Sequence, residues 1–311
     1  MRKTLLLVAF IIFGYGSAIA CDICGCGVGN YYLGILPDFN KRFIGLRYQY
    51  NTLQTHLGPG GLRTPLTADE TYQIAEIWGA YNFGKKLRIM AFVPFNFNQR
   101  QVRAMDEYGE KNGLGDIAVM AYYRIFEGVV TTTNSKLFNH SLWAGVGIKA
   151  PTGKYDNSER ENVSSDAPNN FQLGTGSTDF TFNLSYDARL MDLGFNLNLL
   201  YKLNTTNRYD YRYGNKFTGN ALVYYKFLIH QKVRIAPNVG IRYEKAAQDV
   251  SYNRFYVSQS GGNLTSAIVG AEMNIGRLSL GANLQIPMTQ MLADKRVHAG
   301  NRLMTHISYA F

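Results

Sequence analysis

Three cysteines stand close together near the N-terminus, and the chain contains no others. Cys21, Cys24 and Cys26 form a C-x-x-C-x-C pattern, and glycines fill positions 25 and 27. Thiolates at this spacing can share a thiophilic metal such as copper, and the glycines let the chain wrap around the ion. The alternatives are a local disulfide with one remaining thiol in an oxidising compartment, or a lipid on Cys21. The cluster is therefore a candidate metal site, and no other cofactor is expected.

The five histidines do not indicate a catalytic centre, because none has a histidine two or four residues away. His140 precedes Ser141, but neighbouring residues on a strand point to opposite faces and cannot act as base and nucleophile. His306 and Ser308 would share one face of a strand, where polar lining of a lumen explains them better. We therefore expect no enzyme activity.

The first 20 residues read as a cleaved secretory signal peptide. Arg2 and Lys3 precede the apolar run Leu5 to Phe13, and Ala18-Ile19-Ala20 fits the small-residue cleavage pattern. A membrane-spanning helix needs about 20 apolar residues, and no later stretch approaches that length. The exported chain would begin with a Cys- and Gly-rich segment over residues 21–41.

Beyond that segment, the sequence alternates between apolar and polar residues in runs broken by Gly, Asn and Asp. Residues 193–204 are the clearest case, with Leu193, Phe195 and Leu197 on one face and Asn196 and Asn198 on the other. Tyr and Phe are abundant, at 22 and 18 residues. Such alternation predicts strands with two unlike faces. The runs are long, and large apolar side chains share one face while the opposite face is small or polar, which favours a transmembrane barrel over a secreted β-sandwich.

Residues 42–311 are predicted to form an all-β, closed antiparallel barrel of about twelve strands, the even number that bacterial barrels require. Short connections alternate with long ones, and the short turns are expected to face the periplasm, together with the N-terminus. The predicted strands cover residues 42–53, 70–82, 86–100, 115–126, 138–151, 174–188, 193–204, 215–228, 233–246, 264–275, 277–290 and 301–311.

The last strand ends on Phe311, an aromatic C-terminal residue that resembles the assembly signal of outer-membrane barrels. We therefore expect the barrel assembly machinery, the lipid bilayer and lipopolysaccharide as partners, in the outer membrane of a Gram-negative bacterium. The formal net charge is +10. Nucleic acid is not an expected partner, because the chain is exported and its bases are scattered.

A barrel in a membrane must close on itself, and closure creates an interior. The predicted lumen-facing residues are charged and mainly basic, so their field would favour anionic solutes if the arginines lie at similar depth. The alternative is that these ions pair across the lumen and keep it rigid. The predicted pore-lining residues are Arg47, Glu76, Arg88, Arg124, Lys149, Asp179, Lys202, Lys226, Arg234, Arg242, Glu244, Glu272 and Arg302.

Three Gly-rich segments lie where long loops are predicted to meet strands: residues 113–116 (GLGD), 151–156 (PTGKYD) and 173–180 (LGTGSTDF). In these segments the chain resembles the outer-membrane transporters named after the meta-pathway of phenol degradation, a family distantly similar to fatty-acid and toluene channels. The resemblance extends over most of the chain after Lys41 and implies uptake of small, hydrophobic compounds. The 21–41 segment is short for the plug of a fatty-acid channel.

Together, these features predict an outer-membrane, porin-like channel for passive uptake of small solutes, either anionic or hydrophobic. Two alternatives remain at the level of sequence. One is a copper-linked outer-membrane protein that uses the cysteine cluster, and the other is a sealed structural or adhesive barrel.

Overall fold

The computed structural model describes residues 42–131, 137–158, 171–257 and 259–311. The predicted signal peptide and the 21–41 segment lie outside these residues. The helices of the described part are single 3-10 turns at Pro59–Gly61, Arg103–Met105 and Ala293–Lys295. None of them is long and apolar enough to cross a membrane.

Twelve antiparallel strands close into one ring, which confirms the predicted barrel and excludes the two-sheet sandwich. The first strand pairs with the last along most of its length, so that Phe43 lies opposite Ala310. The ring strands are β1 (Phe43–Thr55), β2 (Ala68–Phe83), β3 (Leu87–Val102), β5 (Ala118–Thr131), β6 (Leu137–Lys149), β7 (Asp179–Leu190), β8 (Leu193–Leu203), β10 (Lys216–Tyr225), β12 (Val233–Ala246), β15 (Gly262–Ile275), β16 (Leu278–Leu292) and β17 (His298–Ala310).

Shorter strands extend this ring. β4 (Glu107–Leu114) pairs with the far half of β3, and β11 (Phe227–Ile229) continues β10 alongside β12. β9 (Tyr211–Arg212), β13 (Val250–Ser251) and β14 (Phe255–Tyr256) form a separate small sheet in the connecting loops.

The connections define two ends of the barrel. The turn end carries both chain ends of the described barrel and the short turns after β2, β7, β11 and β15. The loop end carries the long connections, which include residues 150–178 between β6 and β7. The predicted alternation of short and long connections is therefore present.

Side chains alternate between the lipid-facing and inner surfaces along each strand. On β1, Ile44 and Leu46 are 56% and 58% exposed, whereas Phe43 and Arg47 on the opposite face are 6% and 2% exposed. The backbone of every ring strand is paired on both sides. An apolar outer band around a sheet without edges is the arrangement that a bilayer tolerates.

The inner surface differs from the uniformly polar lining expected from the alternation. Toward the turn end, large apolar side chains point inward and pack together, among them Phe43, Trp78, Phe92, Tyr122 and Trp143. On β2 and β3 both faces carry apolar residues, and Ile77 and Phe95 on the outer face are exposed. Alternation alone could not identify this region, because it marks two faces only where they differ in polarity.

Three predicted strands begin or end elsewhere. β7 starts at Asp179 rather than at residue 174, because the preceding backbone bonds to side chains inside the barrel. The predicted strand over 115–126 begins later, at Ala118, and continues to Thr131, whereas β4, which ends at Leu114, was not predicted. The predicted strand over 215–228 is interrupted at Lys226, whose backbone N–H bonds to the carbonyl of Asp192.

Candidate functional site inside the barrel

The three Gly-rich segments meet at one carboxylate, that of Asp116, which lies in the break between β4 and β5 and is fully buried. The backbone N–H groups of Gly153 and Thr175 each donate to it over 2.9 Å. The Thr175 hydroxyl donates over 3.0 Å, and the Lys149 ammonium lies 2.6 Å away. Each segment therefore contributes a partner to the same anion, which explains why these short motifs occur together.

Lys149 also joins this carboxylate to a second one. Its Nζ lies 2.7 Å from Oδ2 of Asp179, which stands directly opposite it on β7. Lys202 on β8 lies 3.4 Å from the same oxygen, and the Ser177 hydroxyl donates to the other oxygen over 2.8 Å. Two bases and two acids thus form a compensated, buried cluster rather than a cationic patch.

Residues 171–178, here called the inner segment, lie inside the barrel. The side-chain amides of Asn96 and Asn98 on β3 donate to the carbonyls of Leu173 and Gln172, over 2.9 and 3.2 Å. Phe171 joins an apolar cluster whose other members come from β1, β2, β15, β16, β17 and the connection between β16 and β17. The inner segment therefore crosses from the β6–β7 side toward the opposite wall and narrows the lumen.

Two glycines make this crossing possible. A Cβ at position 174 would lie 2.3 Å from Oδ1 of Asp116, and one at position 153 would lie 2.7 Å from the carbonyl oxygen of Leu173. The two glycines also approach each other, because either Cβ would be 2.8 Å from the Cα of the other. The close packing of the two segments therefore requires glycine at both positions.

A second ionic cluster surrounds Glu244 on β12. Its carboxylate lies 2.9 Å from Nζ of Lys216, 3.2 Å from Nε of Arg242 and 2.5 Å from an Nη of Arg302. Arg302 belongs to β17, which β15 and β16 separate from β12. This ion pair therefore spans part of the lumen instead of linking neighbouring strands.

The other predicted acids are also paired. Glu76 forms a buried ion pair with Arg47 on the neighbouring strand. Glu272 on β15 lies 3.2 Å from Nε2 of His306 on β17. Gly281 stands between them on β16, where a Cβ would be 2.3 Å from the imidazole, so this glycine leaves the space in which they meet.

Four predicted pore residues lie near the turn end. Arg88 is buried, with its guanidinium 5.5 Å from the ring centre of Phe43. Arg124 pairs with Glu127, and Lys226 is half-buried with its Nζ 5.4 Å from the ring centre of Tyr224. Arg234 is exposed. These residues are separated along the barrel from Arg242 and Arg302, so the arginines do not form a single ring at one depth.

Asp116 and Lys216 belong to these clusters but were absent from the predicted pore-lining residues, whereas His306 was predicted to lie on the lumen face. The alternation could have identified Asp116, since it has the same parity as Arg124 within the predicted strand. Lys216 could have been identified in the same way, since it has the same parity as Lys226 within its predicted strand. The side-chain partners of Asn96 and Asn98 could not be predicted, because they belong to a loop 74 or more residues away.

Asp156 lies on the same loop and is half-buried. Hydrogen bonds from the Ser158 hydroxyl and backbone N–H hold the pKa of this carboxyl below its ordinary value. The hydroxyl contact, 2.6 Å, is the larger cause. This carboxylate therefore stabilises a local turn and does not contribute to the buried clusters.

Within the described ranges, no group of three or more His, Cys, Asp or Glu side chains is arranged to hold a metal. Cys21, Cys24 and Cys26 lie outside these ranges, so the copper hypothesis stays a prediction.

The closed ring of twelve strands, the apolar outer band and the charged inner clusters define a transmembrane β-barrel of the bacterial outer-membrane type. The chain belongs to the family described as "Putative MetA-pathway of phenol degradation", whose model matches residues 66–268. This confirms the resemblance inferred from the Gly-rich segments. No curated protein sequence matches the chain.

Among solved structures, an outer membrane channel from Pseudomonas putida F1 is similar, with a TM-score of 0.62 and 14% identity over 87% of this chain and 96% of that one. The β domain of the Bordetella autotransporter BrkA has a TM-score of 0.48 and 10% identity over 88% of this chain and 100% of that one. The first likeness confirms the barrel fold, and the second adds no argument.

Proposed function

We propose that this chain is an outer-membrane channel through which small solutes diffuse passively, with its turn end facing the periplasm. Three observations support the proposal. The barrel is closed and apolar outside, the chain belongs to a family described by a catabolic pathway, and its fold is that of an outer membrane channel. The inner segment and the Glu244 cluster would form the constriction, and the channel would have no catalytic role.

The preferred solutes are small anions. The observation that carries this choice is the Glu244 cluster, in which Lys216, Arg242 and Arg302 share a single carboxylate. The three bases exceed the one acid, so the cluster leaves positive charge inside the barrel that would attract an anionic solute.

Liposome uptake with permanently charged probes tests this proposal. Benzenesulfonate and phenyltrimethylammonium have similar size and opposite charge, and neither crosses a bilayer by losing or gaining a proton. We expect liposomes containing the full chain to take up benzenesulfonate faster, and an Arg302→Gln variant to lose part of the difference. Equal rates for the two probes, with measurable uptake of both, would refute the anionic preference but not the channel.

A sealed structural barrel is the second candidate, favoured by the near-complete burial of inward side chains such as Arg88, Phe92 and Met90, each 0% exposed. Planar-bilayer recordings separate the two functions. A channel gives discrete conductance steps, whereas a sealed barrel inserts without any.

A further inference from the structure

The turns at one end of the barrel carry an excess of exposed basic side chains. Lys85 and Lys86 lie after β2, Lys232 lies just before β12, and Arg277 lies between β15 and β16. Arg42 adds a further base just before β1. These five residues, here called the basic ring, come from four separate places in the sequence that only the closed barrel brings to one level.

The basic ring has few acids near it. The exposed acids of the described turn end are Asp192 and Glu127, and Glu127 pairs with Arg124. No ion pair within 4 Å joins a member of the basic ring to an acid in the described part of the chain. The charge of the ring is therefore available to a partner outside the protein.

Aromatic side chains lie beside the basic ring on the outer surface. The guanidinium of Arg42 lies 4.3 Å from the ring centre of Tyr81, and Nζ of Lys86 lies 6.0 Å from that of Tyr123. Both tyrosines are exposed. An exposed aromatic belt marks the level at which a barrel meets the lipid headgroups, so the cations stand at headgroup height.

The loop end lacks this charge separation. Arg63 and Arg103 both lie beside Asp69, at 3.6 and 2.9 Å. Exposed acids such as Asp106, Glu107 and Glu110 stand among the bases there. The two ends therefore differ in the balance of charge and not merely in the number of basic residues.

From this asymmetry we infer that the basic ring binds anionic glycerophospholipid headgroups in the leaflet at the turn end. Phosphodiester oxygens accept hydrogen bonds from ammonium and guanidinium groups. A polybasic surface is attracted to an anionic leaflet over about a Debye length. The basic ring follows the consecutive strands from β12 through β15, β16, β17, β1 and β2 to β3, so it forms an arc along one side of the rim at headgroup height, where annular lipids lie. This inference concerns lipid contact and does not depend on transport.

Thermal unfolding in nanodiscs tests the inference with two variants that each lose five positive charges. The ring variant is R42Q/K85Q/K86Q/K232Q/R277Q, and the matched loop-end control is R63Q/R208Q/K245Q/R254Q/K295Q. For the unmodified chain, we expect a midpoint about 5 °C higher with 30% phosphatidylglycerol than with phosphatidylcholine alone, at about 50 mM salt. This difference should shrink in 0.5 M salt, disappear in the ring variant and persist in the control.

Equal loss of the difference in both variants would overturn the inference, because it would indicate a response to net charge alone. Equal midpoints of the unmodified chain in the two lipids would also overturn it and would favour an acidic protein as the partner. If the ring variant does not fold, the inference is tested on the unmodified chain with spin-labelled lipids, which report the lipids in contact with the barrel. Spin-labelled phosphatidylglycerol must then be enriched over spin-labelled phosphatidylcholine around the barrel, and salt must reduce this enrichment.

Discussion

Asp116 is the residue on which the inner segment depends most directly. Its two oxygens accept bonds from two backbone N–H groups and one hydroxyl, and they neutralise part of the charge of Lys149. A buried carboxylate with this many donors holds its neighbours in place because each donor would be unsatisfied without it. The carboxylate of Asp156, on the same loop, makes only local contacts, to Ser158.

We expect Asp116→Asn to destabilise the barrel by about 3 kcal/mol, because it leaves a buried ammonium with one carboxylate fewer. The inner segment should loosen, so single-channel conductance should rise. Asp156→Asn is the matched control and should change neither quantity. Unfolding in urea and planar-bilayer recordings measure the two effects, and similar behaviour of both variants would contradict the role given to Asp116.

A methyl group at position 174 tests the same contact sterically. Gly174→Ala should cost about 2 kcal/mol of stability through overpacking against Asp116. Gly109→Ala is the control, because its Cβ would meet only Phe171, at an ordinary 3.6 Å. Denaturation midpoints measure the comparison, and a neutral Gly174→Ala would mean that the two segments pack less closely than described.

At the scale of elements, the barrel is narrowed by ion pairs that connect strands which are not neighbours. Glu244 on β12 binds Arg302 on β17, and Glu272 on β15 binds His306, which also lies on β17. Such pairs set the electrostatic potential of the lumen as well as its width. The acids neutralise part of the positive charge of the bases, which the sequence alone had indicated to be a mainly cationic lining.

Glu244→Gln should therefore make the channel more selective for anions, since three bases lose their shared counter-charge. Arg302→Gln should shift selectivity in the opposite direction. Reversal potentials measured across a salt gradient give the sign of the selectivity change in each variant. Shifts of the same sign in the two variants would show that Glu244 does not face the conducting path.

At the scale of the whole molecule, the two tryptophans provide a test of which surface meets lipid. Trp78 and Trp143 are both buried inside the barrel, at 1% and 3% exposure. Lipids brominated on their acyl chains should therefore quench the native fluorescence little. A Leu46→Trp variant adds an outward indole on β1 and should be quenched strongly. Strong quenching of the unmodified chain would contradict the assignment of inner and outer faces.

The sequence by itself determined the twelve ring strands and the face that meets lipid. Alternation in runs such as residues 193–204 is a local property, since each side chain must suit either lipid or the interior. It also determined that Lys149, Asp179 and Glu244 point inward. The family could be recognised from the Gly-rich segments because close backbone packing permits few other residues there.

Only the tertiary structure decided which inward residues meet. Asp116, Lys149 and Thr175 lie far apart in the sequence, and the inner segment follows a loop whose path no periodicity describes. The apolar inner wall around Trp78 was likewise hidden, because an apolar residue beside another apolar residue gives no alternation. Contacts across the lumen depend on how the ring closes, so the charge balance of the interior became visible only in the folded barrel.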